Sequence, residues 1–89
     1  TTDCSGCVNA MSFAEVRQCR VRAAGGAPSA EPPATLAEVY AALPDDALVN
    51  VELKVFEAPC ADDATGAAVL GSRAAAEVAR LGVASRTIF

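Results

Sequence analysis

Apolar and polar residues alternate with a period of two along Leu48-Val49-Asn50-Val51-Glu52-Leu53-Lys54-Val55-Phe56, the rhythm of a β-strand over about 48–56. Val49, Val51, Leu53 and Val55 fall on one face, and Asn50, Glu52, Lys54 and Phe56 on the other. Upstream the period lengthens. Leu36, Val39, Tyr40 and Leu43 recur at i, i+3, i+4 and i+7, which predicts a helix over about 36–43 with one buried stripe. Thr35-Leu36-Ala37-Glu38 is a capping-box sequence that would open it. Ser12-Phe13-Ala14-Glu15 has the same form and predicts a shorter helix over about 13–19. Downstream, Leu70, Ala74, Val78 and Leu81 mark the apolar line of an alanine-rich helix over about 64–81. Asp62 or Asp63 would cap its start and Gly82 its end, with Gly66 and Gly71 weakening its first half. A second strand follows over about 84–89.

The stretch 23–34 carries Gly25-Gly26 and Pro28, Pro32 and Pro33, and reads as a surface loop: the glycines remove local preference and the prolines lack the donors a ladder needs. The element order is then helix, loop, helix, strand, helix, strand. Two strands joined by a long helix make a βαβ crossover, so their pairing should be parallel. A parallel sheet needs cover on both faces, and one long and one short helix cannot supply it. The chain is therefore expected to be one incomplete segment, 1–89, of a larger α/β domain.

Charge narrows the partners. A net charge of −4 with no basic stripe excludes a nucleic-acid partner. Arg17, Arg20 and Arg22 read as a solvated face. No apolar run approaches the roughly 20 residues of a membrane span. The absence of histidine removes the commonest general base and metal ligand. The start at Thr1-Thr2-Asp3, without an initiator Met, is what a processed product or an internal fragment would show.

Cys4, Cys7, Cys19 and Cys60 are an even set in a short chain, which points to disulfides and to a secreted or periplasmic setting. Free thiols and zinc are the rivals; Cys4-Ser5-Gly6-Cys7 has the knuckle spacing of a zinc site, but the close pair is not repeated. Pairing each of Cys4 and Cys7 with a distant partner leads to Cys4–Cys19 and Cys7–Cys60. The polar face of the strand supplies the other candidate chemistry. Glu52 and Lys54 lie two residues apart, about 7 Å along a strand, which suits two charges addressing different parts of one ligand.

Four segments, in order, resemble the glycerophosphodiester phosphodiesterase family. They are Thr1-Thr2-Asp3 with Ser5-Gly6, then Pro33-Ala34-Thr35-Leu36-Ala37-Glu38-Val39, then Asn50-Val51-Glu52-Leu53-Lys54, and last Ala76-Glu77-Val78-Ala79-Arg80-Leu81-Gly82. The resemblance implies a (β/α)8 TIM barrel, of which this chain would be a partial segment running from about the third strand to the fifth. It also implies hydrolysis of glycerophosphodiesters to an alcohol and glycerol phosphate with a divalent cation, Ca2+ or Mg2+. Glu52 matches the family's metal-binding carboxylate, and Lys54 the lysine that contacts the substrate phosphate. Both would point into the barrel lumen, with the remainder of the barrel as partner. The family's histidine acid and base and two further metal-binding acids would lie before Thr1, and its Ser-Ser-Phe motif after Phe89. The isolated 89-residue chain, lacking those histidines, is expected to be inactive. Two alternatives come from other classes: a small disulfide-stapled secreted binding module and a zinc-stabilised interaction domain.

Overall fold

The computed structural model describes residues 2–89, so Thr1 of the Thr1-Thr2-Asp3 segment lies outside the described residues. The chain divides into two compact units, Thr1–Thr35 and Leu36–Phe89.

In the first unit a 3-10 turn, Val8–Ala10, precedes helix α1, Phe13–Gln18. Helix α1 starts where the capping box places it. The Ser12 N–H donates to Glu15 Oε2 at 2.6 Å, and the Glu15 N–H donates to Ser12 Oγ at 3.2 Å. Two orphan donors of a short helix are thus satisfied reciprocally. The arginines at and after its last turn do more than face solvent. Arg20 Nη1 donates to the carbonyls of Arg17, Gln18 and Cys19 at 3.1, 3.1 and 2.9 Å, which closes the helix end. Arg17 Nη1 donates to the Pro33 carbonyl at 2.6 Å.

The glycine- and proline-rich stretch is folded back on the chain before it. Val21 accepts from Ser29 N–H at 2.8 Å and donates to the Glu31 carbonyl at 2.9 Å, and Arg22 bridges Pro28 antiparallel. The prolines leave these contacts intact because the donors used belong to Val21 and Ser29. Gly25 takes φ 70° in the reversal, and Gly26 N–H donates to the Ala23 carbonyl at 3.0 Å.

The second unit opens with helix α2, Leu36–Ala42, passes through a turn at Pro44–Ala47, and enters strand β1, Val49–Asn50. A 3-10 turn, Asp63–Thr65, then leads into helix α3, Ala67–Leu81. The helix begins at Ala67, not at about 64, because Gly66 holds an extended backbone, φ −65° and ψ 167°, as its N-cap. Its end is as the sequence predicts. Gly82 adopts the left-handed conformation, φ 69° and ψ 26°; its N–H donates to the Ala79 carbonyl, and Val83 N–H to that of Val78. These are the two bonds of a Schellman cap. A 3-10 turn, Ala84–Arg86, delivers strand β2, Thr87–Ile88.

Strands β1 and β2 pair parallel, Val49 with Thr87 and Asn50 with Ile88. Tyr40 and Val78 are the buried apolar side chains of this unit among the described residues. The Tyr40 hydroxyl is hydrogen-bonded to Thr87 Oγ1, which donates in turn to the Val83 carbonyl at 2.8 Å. Arg86 lies over the Tyr40 ring, 5.3 Å from its centroid, and donates to the carbonyls of Ala47 and Pro44 at 3.1 and 2.6 Å. Helix α2, the turn after it and β2 are thereby tied around one aromatic side chain.

The expectation of a partial (β/α)8 TIM barrel is corrected here. Among the described residues there are three α-helices and a parallel sheet of two strands with two residues each, in place of strands over about 48–56 and 84–89. The ladder of β1 ends with Val51 N–H donating to the Ile88 carbonyl at 2.7 Å. A strand persists only where a neighbour accepts its backbone groups, and β2 offers two residues. Beyond that point alternation alone cannot hold a ladder, and Leu53 and Val55 are exposed.

Candidate functional site

Glu52 and Lys54 follow β1 directly, in the segment that leaves the sheet. Parallel pairing places this segment at the carboxyl end of β1, beside Phe89 at the carboxyl end of β2. An open groove of about 510 Å³ lies there, lined by Asn50, Val51, Glu52, Leu53 and Phe89. Ligands of open α/β sheets bind in the crevice outside the carboxyl ends of the strands, where loops diverge and leave room.

Lys54 Nζ lies 3.7 Å from Glu52 Oε1, with side chains 77% and 75% exposed. Both charges therefore face solvent rather than a lumen, a second correction that follows from the missing barrel. The backbone spacing of about 7 Å had suggested that the two charges would stay apart. Their long side chains close that gap and neutralise each other. An ion pair this exposed is weakly held, since water screens it and two flexible side chains must be ordered to form it. A ligand carrying both an anionic and a cationic part can separate it cheaply.

The carboxylate of Glu52 is a hard oxygen donor, suited to Ca2+ or Mg2+, but either ion wants six or more oxygens. Among the described residues Glu52 belongs to no cluster of three His, Cys, Asp or Glu side chains. It can fill one coordination position, and the other ligands must come from water, substrate or another polypeptide segment. Asn50 and Phe89 were not singled out from the sequence. Asn50 carried a signal, since it sits two residues before Glu52 on the same polar face of the alternating pattern. Phe89 carried none, because only the register of β2 against β1 brings it to the groove.

The cysteines are a separate constellation. Cys4 and Cys19 form a disulfide with Cα atoms 5.5 Å apart, the pairing expected from the sequence. Cys7 and Cys60 are disulfide-bonded too, and no cysteine is free. Oxidised sulfurs are not thiolates, so a zinc knuckle at Cys4-x-x-Cys7 is not formed in this state. Two electrostatic details concern carboxylates on helices α1 and α3. Hydrogen bonds from Ser12, the backbone N–H foremost, hold the Glu15 carboxyl below its ordinary range. The hydrogen bond from Arg80, with Nη2 2.6 Å from Glu77 Oε1, does the same for Glu77.

No helix is long and apolar enough to cross a membrane among the described residues. Comparison with protein-family models, with curated proteins and with solved structures gives no match.

Proposed function

We propose that this chain supplies part of the active site of a metal-dependent glycerophosphodiester phosphodiesterase. Glu52 gives one oxygen to a divalent cation, Ca2+ or Mg2+, and Lys54 binds the substrate phosphate as a point charge. The observation that carries this reading is the Glu52–Lys54 pair itself, 3.7 Å apart, beside a groove at the carboxyl ends of two parallel strands. The order of the family-like segments along the chain supports it further. A bound cation would neutralise charge on the phosphodiester as water attacks phosphorus. The departing alkoxide also needs a proton, and a chain without histidine has no evident donor. On this reading Glu52 and Lys54 supply one metal ligand and one phosphate contact, and the isolated chain is expected to be inactive. Two disulfides favour an oxidising setting, secreted or periplasmic.

The test uses the natural protein that carries this chain, assayed for choline release from glycerophosphocholine with added Ca2+ or Mg2+. E52Q and K54M should each lower kcat/KM by about 100-fold or more, the usual scale for losing a group that stabilises transition-state charge. Unchanged turnover in both variants would reject the assignment. Metal-dependent turnover by the 89-residue chain alone would reject its expected inactivity. The disulfides also suit a small stapled binding module, which would show no hydrolysis in either form.

A further inference from the structure

Past β1 the chain keeps the alternation of a strand and loses its neighbour. Among the described residues, no backbone hydrogen bond reaches 52–56. Val51 N–H turns toward β2, where it meets the Ile88 carbonyl. Successive residues of an extended chain turn these groups to opposite edges, so those of Asn50, Glu52 and Lys54 belong to the edge away from β2. The side chains are as open as the edge. Leu53 and Val55 are 38% and 50% exposed, and Phe89, next in register beside Val51, is 57% exposed. Glu52 and Lys54 share the other face, where they meet each other. An unpaired edge beside exposed apolar side chains is a template for a further strand.

We propose that this edge pairs with the same edge of a second copy of the chain, antiparallel about Leu53. The charges choose both the partner and the register. A two-fold axis at Leu53 sets Leu53 against Leu53, Val51 against Val55, and Glu52 against Lys54, so each carboxylate meets an ammonium of the other copy. No other antiparallel register does this. An axis at Glu52 or at Lys54 sets that charge against its own kind, and an axis between Glu52 and Leu53 sets apolar side chains opposite charged ones. Parallel pairing in register opposes Glu52 to Glu52 and Lys54 to Lys54. The backbone agrees with the axis at Leu53. Glu52 and Lys54, whose groups lie on the free edge, form the hydrogen-bonded pairs, and Leu53 faces its copy in the closer, non-bonded pair. Lysine on an edge ordinarily discourages pairing. Here Lys54 is already matched by Glu52 of its own chain at 3.7 Å, and an ion pair so exposed exchanges its partner for that of the second copy at little cost. The pairing occupies the two side chains that the hydrolase reading uses but does not rest on that reading, since association is read by mass and hydrolysis by turnover.

The experiment is sedimentation equilibrium of the disulfide-bonded 89-residue chain over a concentration series reaching the millimolar range, where a monomer–dimer equilibrium is expected. K54E and E52K each set like charges opposite one another twice per dimer and should raise the dissociation constant about tenfold or more. The double exchange E52K/K54E restores both opposite-charge pairs with their places swapped, and should return the constant to near its natural value. A second measurement needs no variant. In a mixture of isotope-labelled and unlabelled chains, a filtered NOE should join Val51 Hα of one copy to Val55 Hα of the other. A chain that stays monomeric throughout the series, a dimer that K54E leaves unchanged, a double exchange that restores nothing, or filtered NOEs joining other segments would each overturn the proposal.

Discussion

The two units solve the same problem by different means. The second, Leu36–Phe89, has a 15-residue helix, a buried valine at position 78, and a buried tyrosine at position 40 bonded to Thr87 and overlain by Arg86. The first, Thr1–Thr35, has a six-residue helix, and its buried apolar residue among those described is Cys19, half of a disulfide. A segment rich in Gly, Pro and Ser cannot bury enough apolar surface to offset the entropy of ordering its backbone. It is held instead by a covalent cross-link, arginine caps and a few backbone bridges. Periodic apolar patterning makes packing suffice; its absence calls for a staple.

The largest effect should come from removing that staple. C4S/C19S opens a loop closed over a separation of 15 residues and should cost about 3 kcal/mol in chain entropy. Amide exchange read by NMR should show protection lost at Cys19 and Val21 and kept at Val78. Equal loss in both units would erase the distinction between them.

A smaller change tests the other side. Y40F removes the hydroxyl that meets Thr87 and should cost about 1 kcal/mol in urea unfolding. The ring and the Arg86 contact stay in place, so a loss several times larger would mean that the hydroxyl, rather than apolar burial, organises the second unit.

The smallest effect is a pH dependence confined to α1. The Glu15 carboxyl is lowered by the Ser12 hydrogen bonds, so its folded pKa lies below its unfolded one. The contribution is therefore complete above the ordinary carboxylate range and is lost as pH falls through the lowered folded value. Acid titration followed at the Ser12 and Glu15 amides should show fraying of α1 at low pH. E15A should fray at neutral pH and show no further step, and a step that survives in E15A would assign it to another group.

Local signals were legible wherever the chemistry was local. Ser12 with Glu15 and Gly82 with Val83 satisfy their own neighbours, so a few residues suffice to read them. Arg17 and Arg20 were misread as a solvated face because their acceptors are carbonyls, which a sequence does not display as partners. Val51 to Phe56 were misread as strand for a related reason. Alternation shows that a segment fits a sheet, whereas a ladder needs a neighbour with matching register. At the candidate site, Glu52 and Lys54 were visible as charges on one face, and Asn50 with them. Their contact at 3.7 Å depends on side-chain torsions that no spacing rule encodes.

By itself, then, the sequence determined that three helices form, how α1 starts and how α3 ends, since periodicity and capping act over a few residues. Only the tertiary structure decided the two-residue extent of the parallel ladder, the bonding of Tyr40 to Thr87 across 47 positions, and the meeting of Phe89 with Glu52 at one groove. Those contacts join residues far apart in the chain, and which distant groups meet is set by how the helices and turns pack, not by any pattern the residues carry alone.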